Sequence, residues 1–145
     1  MVQKVTQKIK AYQVKPVEAT LPPVVLSPAA LLERGEELIG KTYKIKTHMQ
    51  PHAYYLTINH VEVDGVLKPY EIFINSKNPE SHQWIAALTR MISAVFRHGG
   101  DVNFMVGELK SVFDPVGGYF HKGTFMNSLV AHIGHVLEKH LDSLK

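Results

Sequence analysis

Tyr54-Tyr55-Leu56-Thr57-Ile58-Asn59, the turn pair Asp64-Gly65 and then Tyr70-Glu71-Ile72-Phe73-Ile74-Asn75 make up the stretch whose reading decides the fold. Tyr54, Leu56 and Ile58 alternate with Tyr55, Thr57 and Asn59; Tyr70, Ile72 and Ile74 alternate with Glu71, Phe73 and Asn75. Successive side chains of a strand point to opposite faces, and Asp-Gly suits the positive φ angles of a tight turn, so the pattern predicts an antiparallel hairpin. A further strand signal lies just before it at Thr42-Tyr43-Lys44-Ile45-Lys46, broken by the polar turn His48 to Pro51. One face of this sheet is apolar and has to be covered.

The cover is found downstream, in three helix signals. The first has Asn78 as N-cap, Pro79 at the first helical position and Gly99-Gly100 at the C-terminus. Trp84, Ile85, Leu88, Met91, Ile92, Val95 and Phe96 recur at helical spacing and form its expected buried stripe. The second starts at an Asp101 cap, turns Val102, Met105, Val106, Leu109, Val112 and Phe113 inward, and stops at Asp114-Pro115. After a connecting loop at Gly117-Gly118-Tyr119-Phe120, the third runs from about Asn127 with Leu129, Ile133, Val136, Leu137, His140 and Leu141 on one side. Strands followed by helices predict an α+β fold: a small antiparallel sheet of three or four strands with three C-terminal helices packed on one face. There is no internal repeat and no βαβ nucleotide-binding unit.

Upstream, the sequence changes character. Pro16, Pro22, Pro23 and Pro28 follow a Lys/Gln/Val segment, so residues 1–39 read as an arm and linker and residues 40–145 as the folded domain. Ile9 to Val14 fit a strand, while Val2, Val5, Ile9 and Tyr12 fit a helical spacing, and both readings stay open. Residues 28–38 carry a short helix signal that ends at Gly40.

Bulk composition sets the outer limits. With 145 residues, 45% hydrophobic and 20% charged, the chain suits one soluble domain with one core. Without a stretch of about 18 to 20 apolar residues or a secretory block after Met1, the expected location is the cytoplasm. The absence of cysteine excludes disulfides, thiolate metal sites, a cysteine nucleophile and thiyl or dithiol chemistry within this chain. A net charge of +3 is too mild an imbalance to indicate nucleic-acid binding.

No carboxylate pair, nucleophile and base pair or phosphate-binding glycine fingerprint stands at a chemically meaningful spacing. Nine histidines are many, and His132, His135 and His140 share the last helix. His135 and His140 lie about 140° apart around that helix, too splayed for one tetrahedral ion, so these histidines read as solvated or interface residues. Gln83, Arg90 and Arg97 fall seven apart beside Ala86, Ala87 and Ala94, which reads first as a solvated face and second as a surface for a partner. Arg97-His98-Gly99-Gly100-Asp101 reads as a tight turn between helices, with Asp101 capping the second. Gly117 to Gly123 combines glycines, aromatics and a lysine; a loop packing its aromatics on the core is the first reading, and a nucleotide site the second.

The segments Gly40 to Lys46, Tyr55 to Asn59, Tyr70 to Asn78, Ala87 to Arg97, Gly99-Gly100-Asp101, Glu108-Leu109-Lys110, Val112 to Pro115 and Gly117 to Phe120 together carry a resemblance. In order and spacing they resemble the C-terminal region of cobalamin-dependent, class II ribonucleotide reductases over about residues 40–142. That domain group is named for a Thr-Ser-Cys-Pro-Asp signature, which is absent here. Lys8 to Tyr12 also resembles the start of the separately encoded small chain of split enzymes. Val116 stands where the family usually has Arg, and His132 and His135 stand where acidic residues are common.

The resemblance implies chemistry that this chain lacks the groups to perform. Class II reductases remove the ribonucleotide C2′ hydroxyl through a thiyl radical generated by adenosylcobalamin, and they recycle a disulfide through a C-terminal cysteine pair. The implied role is therefore a noncatalytic accessory subunit of a ribonucleoside-diphosphate reductase, with adenosylcobalamin and substrate on a large catalytic chain and no cofactor or metal on this one. Asn75, Ser76, Lys77, Arg90, Arg97, Asp101, Lys110, Gly117 and Gly118 match the family pattern and form the expected partner- or ligand-binding surface. The alternative is a stand-alone nucleotide or effector-binding module derived from the same domain; self-association stays open under both.

Overall fold

A computed structural model describes residues 33–99 and 101–145. Residues 1–32 and Gly100 lie outside the described residues, and so do both readings of residues 2–14 and the start of the helix signal at residues 28–38. Residues 33–38 are not helical; the first strand begins straight after them.

Strands β1 (Ile39–Ile45), β2 (Tyr54–Val63) and β3 (Val66–Ser76) form an antiparallel sheet in the order β1-β2-β3. Asp64 and Gly65, at φ 53° and 76°, close the β2–β3 hairpin, with Val63 opposite Val66. Leu56 faces Ile74 and Ile58 faces Ile72, as the alternation requires. The register shifts between Asn59 and His60, so that Asn59 pairs with Glu71 and His60 with Pro69. Proline is tolerated at such a bulge on an edge strand because it has no amide to offer the ladder.

A short 3-10 turn, Pro79–Ser81, precedes α1 (His82–His98), and the Asn78 side chain accepts from the Glu80 amide at 3.1 Å. Helix α2 (Asn103–Ser111) follows with the Asp101 carboxylate accepting from the Asn103 amide at 2.8 Å. Next comes an unanticipated hairpin: β4 (Tyr119–His121) pairs with β5 (Thr124–Met126) through Lys122 and Gly123, at φ 48° and 81°. Helix α3 (Leu129–Asp142) is capped by Ser128, whose hydroxyl accepts from the Ala131 amide at 2.9 Å.

The architecture is α+β, with the helices against one face of the three-stranded sheet. One core joins Ile45, Tyr54, Leu56, Ile58 and Ile72 of the sheet to Ile85, Ile92 and Phe96 of α1, Met105, Val106 and Leu109 of α2, and Ile133, Leu137 and Leu141 of α3. Each fully buried Ile or Leu contributes about 1.5–3 kcal/mol relative to exposure. The α1 stripe is rotated from its expected position: Trp84 and Met91 are exposed, while Thr89 and Ser93 are buried. The Thr89 hydroxyl donates to the Ile85 carbonyl at 2.9 Å, and Ser93 Oγ accepts from the Ile72 amide on the open edge of β3 at 3.0 Å. Small polar side chains with satisfied hydroxyls thus fit where a large apolar one was expected. On α2, Val112 and Phe113 lie beyond the helix end and face solvent instead of the core.

Candidate functional site

A groove of about 660 Å³ runs between the outer edge of β3 and α1. It brings together three of the anticipated residues, Asn75, Arg90 and Arg97, with Phe73, Ala86 and Ala94. At one end lies Glu71, which accepts from Arg34 Nε and Nη2 at 3.1 Å each and from Asn59 Nδ2 at 2.9 Å. Burial pushes the Glu71 carboxyl up, but the hydrogen bonds from Arg34 and Asn59 and the charges of Arg34 and Arg97 outweigh it, so the net shift is down. The groove therefore has a settled carboxylate at one end and two arginines along its helical wall.

The remaining anticipated residues are dispersed. Ser76 and Lys77 line, with Asn75, a shallow depression beside Pro51, His52 and Tyr55. Asp101 is not the N-cap expected of it: Val102 holds that position, and the Asp101 carboxylate, one residue earlier, accepts from the amide and side chain of Asn103, while Lys110 Nζ is paired with the Glu138 carboxylate at 2.9 and 3.0 Å. Gly117 lines a cavity of about 160 Å³ with Tyr54, Ser81, Trp84 and Tyr119. At Gly118 a Cβ would stand 2.3 Å from the Met126 carbonyl, so this glycine permits the β4–β5 strands to close.

Two of the three histidines on α3 are not solvated, while His135 is partly exposed. His140 and His132 are 0% and 4% exposed, which corrects their reading as solvated or interface groups. His140 belongs to a linear chain of bonds: His60 Nδ1 lies 2.9 Å from the Ile39 carbonyl, His60 Nε2 lies 2.6 Å from His140 Nε2, and His140 Nδ1 lies 2.8 Å from Tyr43 Oη. The two ring planes are parallel within 4°, and nitrogens 2.6 Å apart place the rings side by side in one plane instead of face to face. A carbonyl only accepts, so His60 carries its proton on Nδ1; its Nε2 accepts from His140 Nε2–H, and His140 Nδ1 accepts from the Tyr43 hydroxyl. With both rings neutral, the partners allow only this assignment. Burial first, then the neighbouring His60 and Lys41, hold His140 down at about 4; burial above all lowers His60 as well.

A second tyrosine–histidine pair sits eight residues earlier on α3. His132 Nδ1 lies 2.8 Å from Tyr119 Oη, and the His121 ring lies 4.4 Å from the His132 ring. Burial raises Tyr119 to about 12 and lowers His132 to about 4, the latter helped by His121 and His135. His132, His121 and His135 line a pocket of about 240 Å³ with Tyr43, Lys44, Lys122, Met126, Val136 and Lys139. No local signal joins these residues, because the β4–β5 hairpin that carries His121 and Lys122 stands where the sequence predicts a connecting loop. Its signal was the pair Lys122-Gly123 flanked by Tyr-Phe-His and Thr-Phe-Met.

Among the described residues, no group of three or more His, Asp or Glu side chains is arranged to hold a metal ion, and no helix is long and apolar enough to cross a membrane.

Comparison with curated proteins and with solved structures returns no significant match. The TSCPD domain family does match, over residues 26–141, and covers the sheet, the three helices and the short hairpin down to Leu141. This domain is found in class II ribonucleotide reductases. With the match running through most of its length, the chain belongs to the TSCPD domain family.

Proposed function

We propose that this protein is a noncatalytic accessory subunit of an adenosylcobalamin-dependent ribonucleoside-diphosphate reductase, docking on a large catalytic chain and supporting deoxyribonucleotide synthesis. The observation that carries the reading is a TSCPD domain in a chain without any cysteine. Reductase chemistry needs thiols, so a chain that keeps the domain and lacks them acts through a partner that has them. The cofactor and substrate belong to that partner in this reading, and the compartment is the cytoplasm.

Two surfaces support docking. Arg90 and Arg97 stand along the β3–α1 groove, where planar guanidinium groups can take carboxylates in two-point contacts. Phe113, Val116 and Phe120 are 73%, 83% and 71% exposed around the β4–β5 hairpin, and clustered exposed apolar residues mark surfaces that associate. Asn75, Ser76 and Lys77 at the end of β3 extend the first surface in this reading.

A pull-down of the tagged chain from its own host, with mass spectrometry of what is retained, tests the proposal. The expected partner is a large, cysteine-containing, cobalamin-dependent reductase chain, with at least tenfold weaker retention by Arg90→Ala and Arg97→Ala. A large chain that is fully active without this protein and never co-purifies with it would overturn the subunit reading.

A further inference from the structure

The pocket between β1, the β4–β5 hairpin and α3 gathers three lysines and three histidines in its lining. Lys44 comes from β1, Lys122 from the hairpin turn and Lys139 from α3, and His121, His132 and His135 complete the wall. No carboxylate lines it. The nearest acid that touches any of these groups is Glu138, whose Oε2 lies 3.9 Å from His135 Nδ1 but 2.9 Å from Lys110 Nζ. Lys110 thus engages that carboxylate, and Lys44, Lys122 and Lys139 form no ion pair among the described residues.

Local structure explains how the cations converge. His132, His135 and Lys139 are three and seven residues apart, which places them on one stripe of α3. Lys122 is held in a left-handed conformation by the tight turn, and the turn is fixed in place because the Gly118 backbone closes on Met126. The base of the pocket carries an oriented donor. Tyr119 is 4% exposed and has no other hydrogen-bond partner among the described residues, so its hydroxyl donates to His132 Nδ1. The proton of neutral His132 then sits on Nε2, which has no protein partner among the described residues.

Three unpaired ammonium groups, two further imidazoles and one fixed N–H around about 240 Å³ match the chemistry of a phosphate group. We infer that this pocket binds a phosphate-bearing small molecule, either free diphosphate or the diphosphate of a nucleotide, held by Lys44, Lys122 and Lys139 with His132 Nε2–H at its base. The inference stands independently of the subunit reading, because it needs no partner chain. An anion there offsets the mutual repulsion of the imidazoles and lysines. Lys110 and Glu138 neutralise each other behind His135, so no free carboxylate competes with the anion at the pocket wall.

Isothermal titration of the full chain with inorganic pyrophosphate, ADP and adenosine tests this, alongside histidine ring NMR signals. Pyrophosphate and ADP should both saturate and move the His121, His132 and His135 resonances, while adenosine does neither. Equal affinities identify the phosphate groups as the whole determinant; ADP tighter by tenfold or more shows that the nucleoside is held as well. The exposed-lysine variants Lys44→Gln and Lys139→Gln should each weaken binding at least fivefold, with Lys68→Gln at the far end of the sheet as control. Lack of saturation by either phosphate compound, or equal affinity in Lys44→Gln, Lys139→Gln and the control, would overturn the inference.

Discussion

Helix α3 carries two tyrosine–histidine pairs that use the same functional groups to different ends. At His140 both ring nitrogens are committed, one to Tyr43 and one to His60, and the residue is 0% exposed. At His132 one nitrogen is committed to Tyr119 and the ring borders a pocket. A buried imidazole with every nitrogen satisfied fixes the sheet to the helix; one with a nitrogen left over is available to a ligand. The number of committed atoms separates the two, and burial alone does not.

The sharpest way to break this comparison is to delete each ring. His140→Ala should lose about 3–5 kcal/mol in urea unfolding, since it leaves a cavity and strands both His60 and Tyr43. His132→Ala should lose less. Equal losses would show that the open and closed pairs are energetically the same.

Acid treats the two alike, which sharpens the contrast by isolating what they share. His132 and His140 each titrate at about 4 in the folded chain, below the ordinary 6.5. The unfolded chain binds more protons between those values, so the stability they contribute is whole above pH 6.5 and is lost as pH falls towards 4. The loss should reach up to about 3 kcal/mol per ring, read as urea midpoints at pH 7 and pH 4.5. His140→Phe should flatten that dependence, and an unchanged slope would remove His140 as a cause.

Smaller effects follow from the hydroxyls. Tyr43→Phe and Tyr119→Phe each delete the donor to a buried imidazole nitrogen and should cost about 1–2 kcal/mol. Only Tyr119→Phe should also alter pyrophosphate binding, because it frees His132 to exchange tautomers. At the bottom of the scale, Lys145→Ala breaks an exposed pair with Asp142 and should leave the urea midpoint unchanged.

What was legible in the sequence follows from how local each signal is. The alternation through Tyr54–Asn59 and Tyr70–Asn75, together with Asp64-Gly65, specifies its hairpin by itself, and the structure has that hairpin, with a register shift between Asn59 and His60 that neither signal announces. The cap and stripe of α1 specify a helix but not its rotation, because Thr89 and Ser93 satisfy their hydroxyls on Ile85 and Ile72 in ways that hydrophobicity does not encode. The β4–β5 strands are three residues each, too short for alternation to register. For the candidate surfaces, the seven-residue spacing of Arg90 and Arg97 put them on one helical face, and the groove contains both. The Lys–His pocket was invisible, since Lys44 and Lys139 are 95 positions apart and only the closed fold makes them neighbours.

The small cavity that holds Gly117 and Tyr119 is also lined by Trp84, the sole tryptophan in the chain. At 39% exposure its indole straddles protein and solvent, where emission is sensitive to small changes in polarity. The molecule thus contains its own fluorophore at a seam, the cavity that Trp84 of α1 and Tyr119 of β4 both line. A spectral shift on adding a ligand or a partner would report movement of that seam without any label and without an assay for turnover.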